Sequence, residues 1–84
     1  MKNRSILFTF ITEKEGGTYI EQFPGASLEE ATLRWYKESE TRPGELLEDR
    51  WPVPIDGRKN VWCISGMDDQ DVFFLANIVA TSDD

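Results

Sequence analysis

The residue types that most often carry out acid–base or metal chemistry are scarce in this sequence. Its 84 residues include no histidine and a single cysteine, Cys63. Without histidine the chain lacks the commonest general base and any Ser-His-Asp or Cys-His pair. One cysteine excludes an internal disulfide and a cysteine-cluster zinc site. The sequence therefore predicts a non-catalytic protein with no cofactor and no metal site.

Carboxylates are the remaining candidates, and one cluster of them is Asp68-Asp69-Gln70-Asp71. Carboxylate oxygens are the ligands that calcium and magnesium prefer. A calcium-binding loop that began at Asp68 would also need a glutamate at its twelfth position, where this chain has Val79. We therefore interpret the segment as a solvated turn between two strands, whose charges discourage aggregation of the sheet.

A second acidic pair, Glu29 and Glu30, follows Ser27 and Leu28 in the pattern of a capping box. In this motif the Ser27 hydroxyl accepts a hydrogen bond from the Glu30 amide, and the Glu30 carboxylate accepts one from the Ser27 amide. Carboxylates also stabilise the positive end of the helix dipole. The pair therefore predicts a helix N-terminus rather than an acid–base site.

Cys63 lies between Trp62 and Ile64 in a segment with the pattern of a strand. A reactive thiolate needs exposure together with a neighbouring cation or a helix N-terminus. Apolar neighbours in the middle of a strand provide neither, so we expect the Cys63 thiol to be buried and inert.

The least ordinary segment of the chain is Arg50-Trp51-Pro52-Val53-Pro54. A tryptophan beside prolines loses little entropy on binding, so Trp51 is suited to anchor a partner or to form the wall of a pocket. The alternative is structural, with Trp51 covering part of the sheet. We take these five residues as the candidate interaction surface.

Hydrophobic periodicity predicts that these residues are positioned by a single α+β domain, residues 1–84. Alternating β-branched and aromatic residues predict strands over 5–12, 18–23, 60–67 and 72–81, and an apolar stripe at i, i+3, i+4 and i+7 predicts a helix from 27 to about 40. The weakly patterned segment 41–59 is predicted to be a long loop. The order is ββαββ, a four-stranded antiparallel sheet with one helix packed on one face.

Both faces of this predicted sheet are apolar. In the last strand Phe74 and Ile78 lie on one face, whereas Phe73 and Leu75 lie on the other. One helix covers one face, and leaving the second face in water would forgo roughly 1.5–3 kcal/mol for each large side chain. We therefore expect the segment 44–55 to cover part of the second face and a homodimer to cover the rest.

The charge balance restricts the class of partner. Sixteen acidic and nine basic residues give a net charge of −7, which repels nucleic acids and anionic membranes and attracts basic proteins. The longest apolar stretch is far shorter than the ~20 residues of a membrane helix. A free cysteine and the lack of a signal pattern favour the cytoplasm. We expect a cytoplasmic protein that binds a basic protein and neither membranes nor nucleic acid directly.

A hairpin-and-helix motif is made by Gly16-Gly17-Thr18-Tyr19-Ile20, Phe23-Pro24-Gly25 and Ser27-Leu28-Glu29-Glu30-Ala31. It resembles the opening of HicB-type antitoxins, small acidic proteins with a Gly-Gly-aromatic strand, a Pro-Gly turn and a helix that begins in this way. In that family a further strand precedes the helix, whereas here only Ala26 intervenes, and the family's C-terminal DNA-binding segment has no counterpart. The resemblance implies that a protein with this order of hairpin and helix can act as an inhibitor of a basic partner.

Three functions are compatible with these features. The first is a small acidic non-catalytic interaction domain of the inhibitor, immunity-type or regulatory kind, which follows from the charge and the missing catalytic groups. The second is a small-molecule-binding domain or minor enzyme whose pocket is lined by Trp35, Tyr36, Trp51 and Trp62. The third is a purely structural homodimer, which follows from the two apolar faces.

We predict no appreciable binding of DNA or RNA at physiological salt. Basic residues that neutralise phosphates supply most non-specific affinity, and the nine in this chain are scattered among sixteen acids. An electrophoretic mobility shift assay over a salt series tests this. A micromolar, salt-dependent shift would contradict the prediction.

Overall fold

The computed structural model describes residues 6–39, 51–67 and 70–82. Its elements, in chain order, are β1 (Ile6–Lys14), β2 (Gly17–Gly25), α1 (Leu28–Glu38), β3 (Val53–Pro54), β4 (Val61–Met67) and β5 (Phe73–Ser82). The strands form one antiparallel sheet in the order β2-β1-β5-β4-β3. The last strand of the chain, β5, therefore lies at the centre of the sheet.

The β1–β2 hairpin forms where the sequence places Glu15 and Gly16 between two alternating segments. Both residues have positive φ, 51° and 79°, as a two-residue type I′ turn requires. The turn pairs Lys14 with Gly17 and continues the register to Ile6 and Gly25.

The predicted α+β class is confirmed, but the predicted count of four strands is wrong because the sheet has five. The additional strand, β3, lies inside the segment predicted as a loop, with Val53 opposite Cys63 and Pro54 opposite Trp62. Proline has no amide hydrogen and is tolerated in a sheet only at an edge, which is where β3 lies. Two residues are too few to show the alternation by which a strand is recognised in a sequence.

Helix α1 begins as the capping pattern predicts, with Ser27 as its N-cap. The Glu30 amide donates to Ser27 Oγ at 3.2 Å, whereas the Glu30 carboxylate accepts from the amide of Ala26 at 3.3 Å and not from that of Ser27. The helix ends at Glu38, two residues before the predicted end, and the Ser39 amide bonds the Trp35 carbonyl. Within the described residues no helix is long and apolar enough to cross a membrane.

Side-chain contacts attach α1 to the edge strand β2. The Arg34 guanidinium donates to the Pro24 carbonyl at 3.4 Å, and the buried Ser39 hydroxyl donates to the Glu21 carboxylate. At the junction Gly25 approaches the helix closely, because a Cβ there would lie 3.3 Å from the Ala31 amide nitrogen. A side chain at this position would crowd the first turn of α1.

The core lies between α1 and one face of the sheet. Trp35 is fully buried and stacks on Phe10, with ring centroids 5.2 Å apart and planes 13° apart. The other buried apolar residues are Phe8, Ala31, Tyr36, Ile64, Phe74, Ala76 and Ile78. The sequence predicts a helix on one face without choosing between the two, and the structure places it on the face of Phe74 and Ile78.

Among the described residues, three polar atoms lie buried in this core without a hydrogen-bond partner: Thr12 Oγ1, Thr32 Oγ1 and Trp35 Nε1. An unpaired buried polar group costs about 1–3 kcal/mol. The stability that the aromatic core provides is reduced by these costs.

We expect Ser27→Ala to destabilise the protein by ~0.5–2 kcal/mol, because the hydroxyl that accepts from the Glu30 amide is lost. Denaturant melts followed by circular dichroism measure the change, with Ser27→Thr, which keeps a hydroxyl at the N-cap, as the control. An unchanged midpoint for Ser27→Ala would show that this cap does not stabilise α1.

Candidate functional site

The face of the sheet opposite α1 is the largest feature that the core does not use, and we call it the open face. Its residues follow from the strand register, and one cross-strand row spans all five strands: Ile20, Ile11, Asn77, Cys63 and Val53. A second row contains Gln22, Thr9, Val79 and Val61, and a third contains Thr18, Glu13, Leu75 and Ser65. Phe73 and Met67 pair beyond the third row.

Large apolar side chains of the open face remain exposed. Ile20 is 66% exposed, Phe73 and Met67 are each 57% exposed, and Val53 is 56% exposed. An antiparallel sheet with one face in water usually places polar residues on that face. The open face therefore has the composition of a surface that another molecule covers.

The open face is also nearly free of charge. Among the described residues, Glu13 is the only charged residue that the register places on it. The other described charged residues lie on α1, in the turns or on the opposite side of the strands. In a chain with 30% charged residues, this separation divides the surface into an apolar face and a charged remainder.

A shallow depression of about 270 Å³ lies at the hairpin end of the open face. Phe73 and Leu75 provide its apolar wall, and the hairpin residues 13–18 provide the remainder. Its two apolar residues belong to the open face, so we treat the depression as one corner of that surface.

The predicted interaction segment is divided by the structure. Trp51 is half-buried and lines a depression of about 330 Å³ with Pro52, Leu28 and Glu29, beside the first turn of α1. This position is on the helix side, not over the second face of the sheet. Val53 alone joins the open face at its edge.

The segment 44–55 is predicted to cover part of the second face, and the structure describes only residues 51–55 of it. Pro54 is exposed opposite Trp62, and Arg50 lies outside the described residues together with the rest of 44–50. The cover predicted from that segment therefore stays a prediction.

Among the described residues, the four members of the predicted aromatic pocket have different surroundings. Trp35 and Tyr36 are buried in the core, and Trp62 packs against the same core beside Phe8. Of the four aromatic residues, only Trp51 lines the depression.

The remaining candidate residues are exposed or partly exposed. Cys63 is partly exposed on the open face rather than buried, since β4 lies near the edge of the sheet. Asp71 is exposed with φ 63°, and Asp68 and Asp69 lie outside the described residues. In the described parts of the chain, no three His, Cys, Asp or Glu residues are grouped to hold a metal ion.

No family model, curated protein or solved structure matches this chain. The likeness of residues 16–31 to HicB-type antitoxins stays a resemblance of those residues, and in the structure β2 ends at Gly25 and α1 follows at Leu28 without an intervening strand. The function of the chain must therefore be argued from its own geometry.

We expect Trp51→Ala to lower the free energy of unfolding by less than about 2 kcal/mol, because Trp51 is only half-buried. The matched control is Trp35→Ala, which removes a fully buried ring and should cost about 3–5 kcal/mol. Denaturant melts of the two variants give the comparison. Equal losses would place Trp51 in the core and remove it from the candidate surface.

Proposed function

We propose that this protein is a non-catalytic protein-interaction domain, of the inhibitor, immunity-type or regulatory kind, and that it presents the open face to another protein chain. The observation that carries the proposal is the exposure of four large apolar side chains on a face with one charged residue. Enzymes and small-ligand sites concentrate polar groups in a concave pocket, whereas protein contacts use broad apolar surfaces with few central charges.

The energetic gain from covering this face is large relative to the stability of a small domain. Each large apolar side chain that is fully buried contributes roughly 1.5–3 kcal/mol. Ile20, Val53, Met67 and Phe73 are each more than half exposed, so most of this contribution remains available for binding. A partner that covers the open face thus gains binding free energy without any rearrangement of the core.

The net charge of −7 favours a basic partner over an acidic one. Exposed acidic residues near the open face and on α1 include Glu13, Glu15, Glu29, Glu30 and Glu38. Charges around the rim of an interface mainly raise the association rate and make it sensitive to salt. The open face would then supply the affinity, and the acidic residues of the turn and of α1 would favour basic chains during encounter.

The alternative is a small-molecule site in the depression beside Trp51. Its volume of about 330 Å³ is at the lower end of the range for ligand sites, and Glu29 is the one charged residue in its described lining. Such a ligand would be a small cation that stacks on the indole. Quenching of Trp51 fluorescence by a ligand, unchanged by substitutions on the open face, would favour this alternative.

A photo-crosslinking residue at position 20 or 19 tests the proposal in the native cell. Ile20 and Tyr19 are neighbours in β2, exposed by 66% and 43%, and they lie on opposite faces of the sheet. We expect protein adducts from position 20 and few from position 19, and adducts with a basic protein should decrease at high salt.

Two results would contradict the proposal. Any exposed position also meets unrelated proteins in the crowded cell, so equal adducts at positions 20 and 19 would show non-specific contact. The absence of protein adducts at position 20 and at position 73, with the variants folded, would show that no protein covers the open face.

A further inference from the structure

We infer that the occupant of the open face is a second copy of this chain, packed face to face, and that Asn77 lies on the two-fold axis of the dimer. The inference rests on the proposed function, since it requires the open face to be a protein contact. It adds the identity of the partner and the residue that aligns the two copies.

Asn77 lies at the centre of the open face in both directions. It is in β5, the third of five strands in the sheet, and it belongs to the one row that crosses all five. Its neighbours on this face are Ile11 and Cys63 across the strands and Leu75 and Val79 along β5. A carboxamide is therefore surrounded by apolar side chains and a thiol.

The Asn77 carboxamide has no side-chain hydrogen bond among the described residues. Covering it with an apolar partner would leave donors and an acceptor unpaired, at a cost of about 1–3 kcal/mol. Asparagine carries both donor and acceptor groups, so two copies of it can satisfy each other. A partner that places an asparagine opposite Asn77 removes the cost.

A two-fold dimer provides that partner directly. In a symmetric contact the same surface is used by both copies, and a residue on the axis meets its own equivalent. Any two-fold axis that lies between the two faces and passes over their centres brings Asn77 opposite Asn77 of the second copy. A buried asparagine pair of this kind fixes register and orientation in coiled coils.

The area of the open face is suited to such a dimer. Strand spacing of about 4.8 Å and a rise of about 3.3 Å per residue give roughly 600 Å² for a sheet of these strands. This is about a tenth of the 5973 Å² surface of the chain. Specific interfaces bury about 800 Å² on each partner, or about 10% of a small protein's surface, and side chains add to the planar estimate.

The near absence of charge on the open face makes it compatible with a second copy. Two molecules with a net charge of −7 repel each other, and the open face is the surface on which they can meet with few apposed charges. The one described charge on the open face, Glu13, lies toward the hairpin, so a basic partner would gain its electrostatic attraction from other parts of the surface. Two sheets packed in this way form a sandwich with faces about 10 Å apart.

Sedimentation velocity of the purified full chain tests the identity of the partner. We expect a dimer at micromolar concentration. Ile20→Glu should raise its dissociation constant about 10-fold or more, because it buries an unpaired charge, whereas the matched Tyr19→Glu on the opposite face should leave it unchanged. Asn77→Asp should also raise it, since two carboxylates would meet at the axis. Circular dichroism melts confirm that the variants are folded.

Thiol cross-linking in a Cys63→Ser background tests the position of the axis. Asn77→Cys should give a covalent dimer with a short bifunctional reagent, because the two sheets lie about 10 Å apart and the two thiols point toward each other across that distance. Thr18 and Gln22 lie on the same face of β2, two residues to either side of Ile20 in the row of Asn77, so an axis that passes over Asn77 passes over at most one of them. At most one of Thr18→Cys and Gln22→Cys should therefore cross-link efficiently.

A monomer throughout the micromolar range, or a dimer that Ile20→Glu and Tyr19→Glu weaken equally, would overturn the inference. A dimer without cross-linking of Asn77→Cys would overturn the position of the axis. If the purified chain is monomeric while position 20 captures a different protein in the cell, the inference fails and the proposed function stands. If neither experiment finds a protein on the open face, both fail.

Discussion

The stacking of Trp35 on Phe10 determines which face of the sheet α1 covers, and the other features of the structure depend on it. Side chains alternate along each strand, so placing Phe10 under the helix also places Phe8, Phe74 and Ile78 there. A shift of one residue in register would exchange the two faces completely. Since α1 lies on one side of the sheet, the other side is left as the open face by the described part of the chain.

The two sides of the sheet differ in how far their apolar side chains are buried. The covered side buries the aromatic rings and also Thr12 and Thr32, whose hydroxyls have no partner, so part of its packing energy is offset. The open side leaves Ile20 and Phe73 in water. For a chain of 84 residues, in which a single core supplies limited stability, covering the open side by association is a means of gaining the remainder.

Charge and apolar surface are separated, and this separation links the fold to the proposed role. The strands contribute a nearly uncharged face, whereas acidic side chains are carried by α1 and the turns. Repulsion between like-charged molecules discourages random association. Two copies can approach closely only where few charges face each other, which is at the open face. The acidic groups of α1 lie on the other side of the sheet, so they remain exposed when the open face is covered.

Local sequence patterns determined the helix, its serine cap and the alternation that marks the long strands, because each depends on residues within a few positions of one another. Only the tertiary structure decided that β5 is the central strand and that Asn77 is at the centre of a face, since these follow from pairing with β1 more than sixty residues earlier. The same holds for β3 and for Trp51, which lies beside α1. β3 consists of two residues and Trp51 is a single half-buried ring, so neither produces a periodic pattern in the sequence. Their positions are set by contacts between distant segments of the chain.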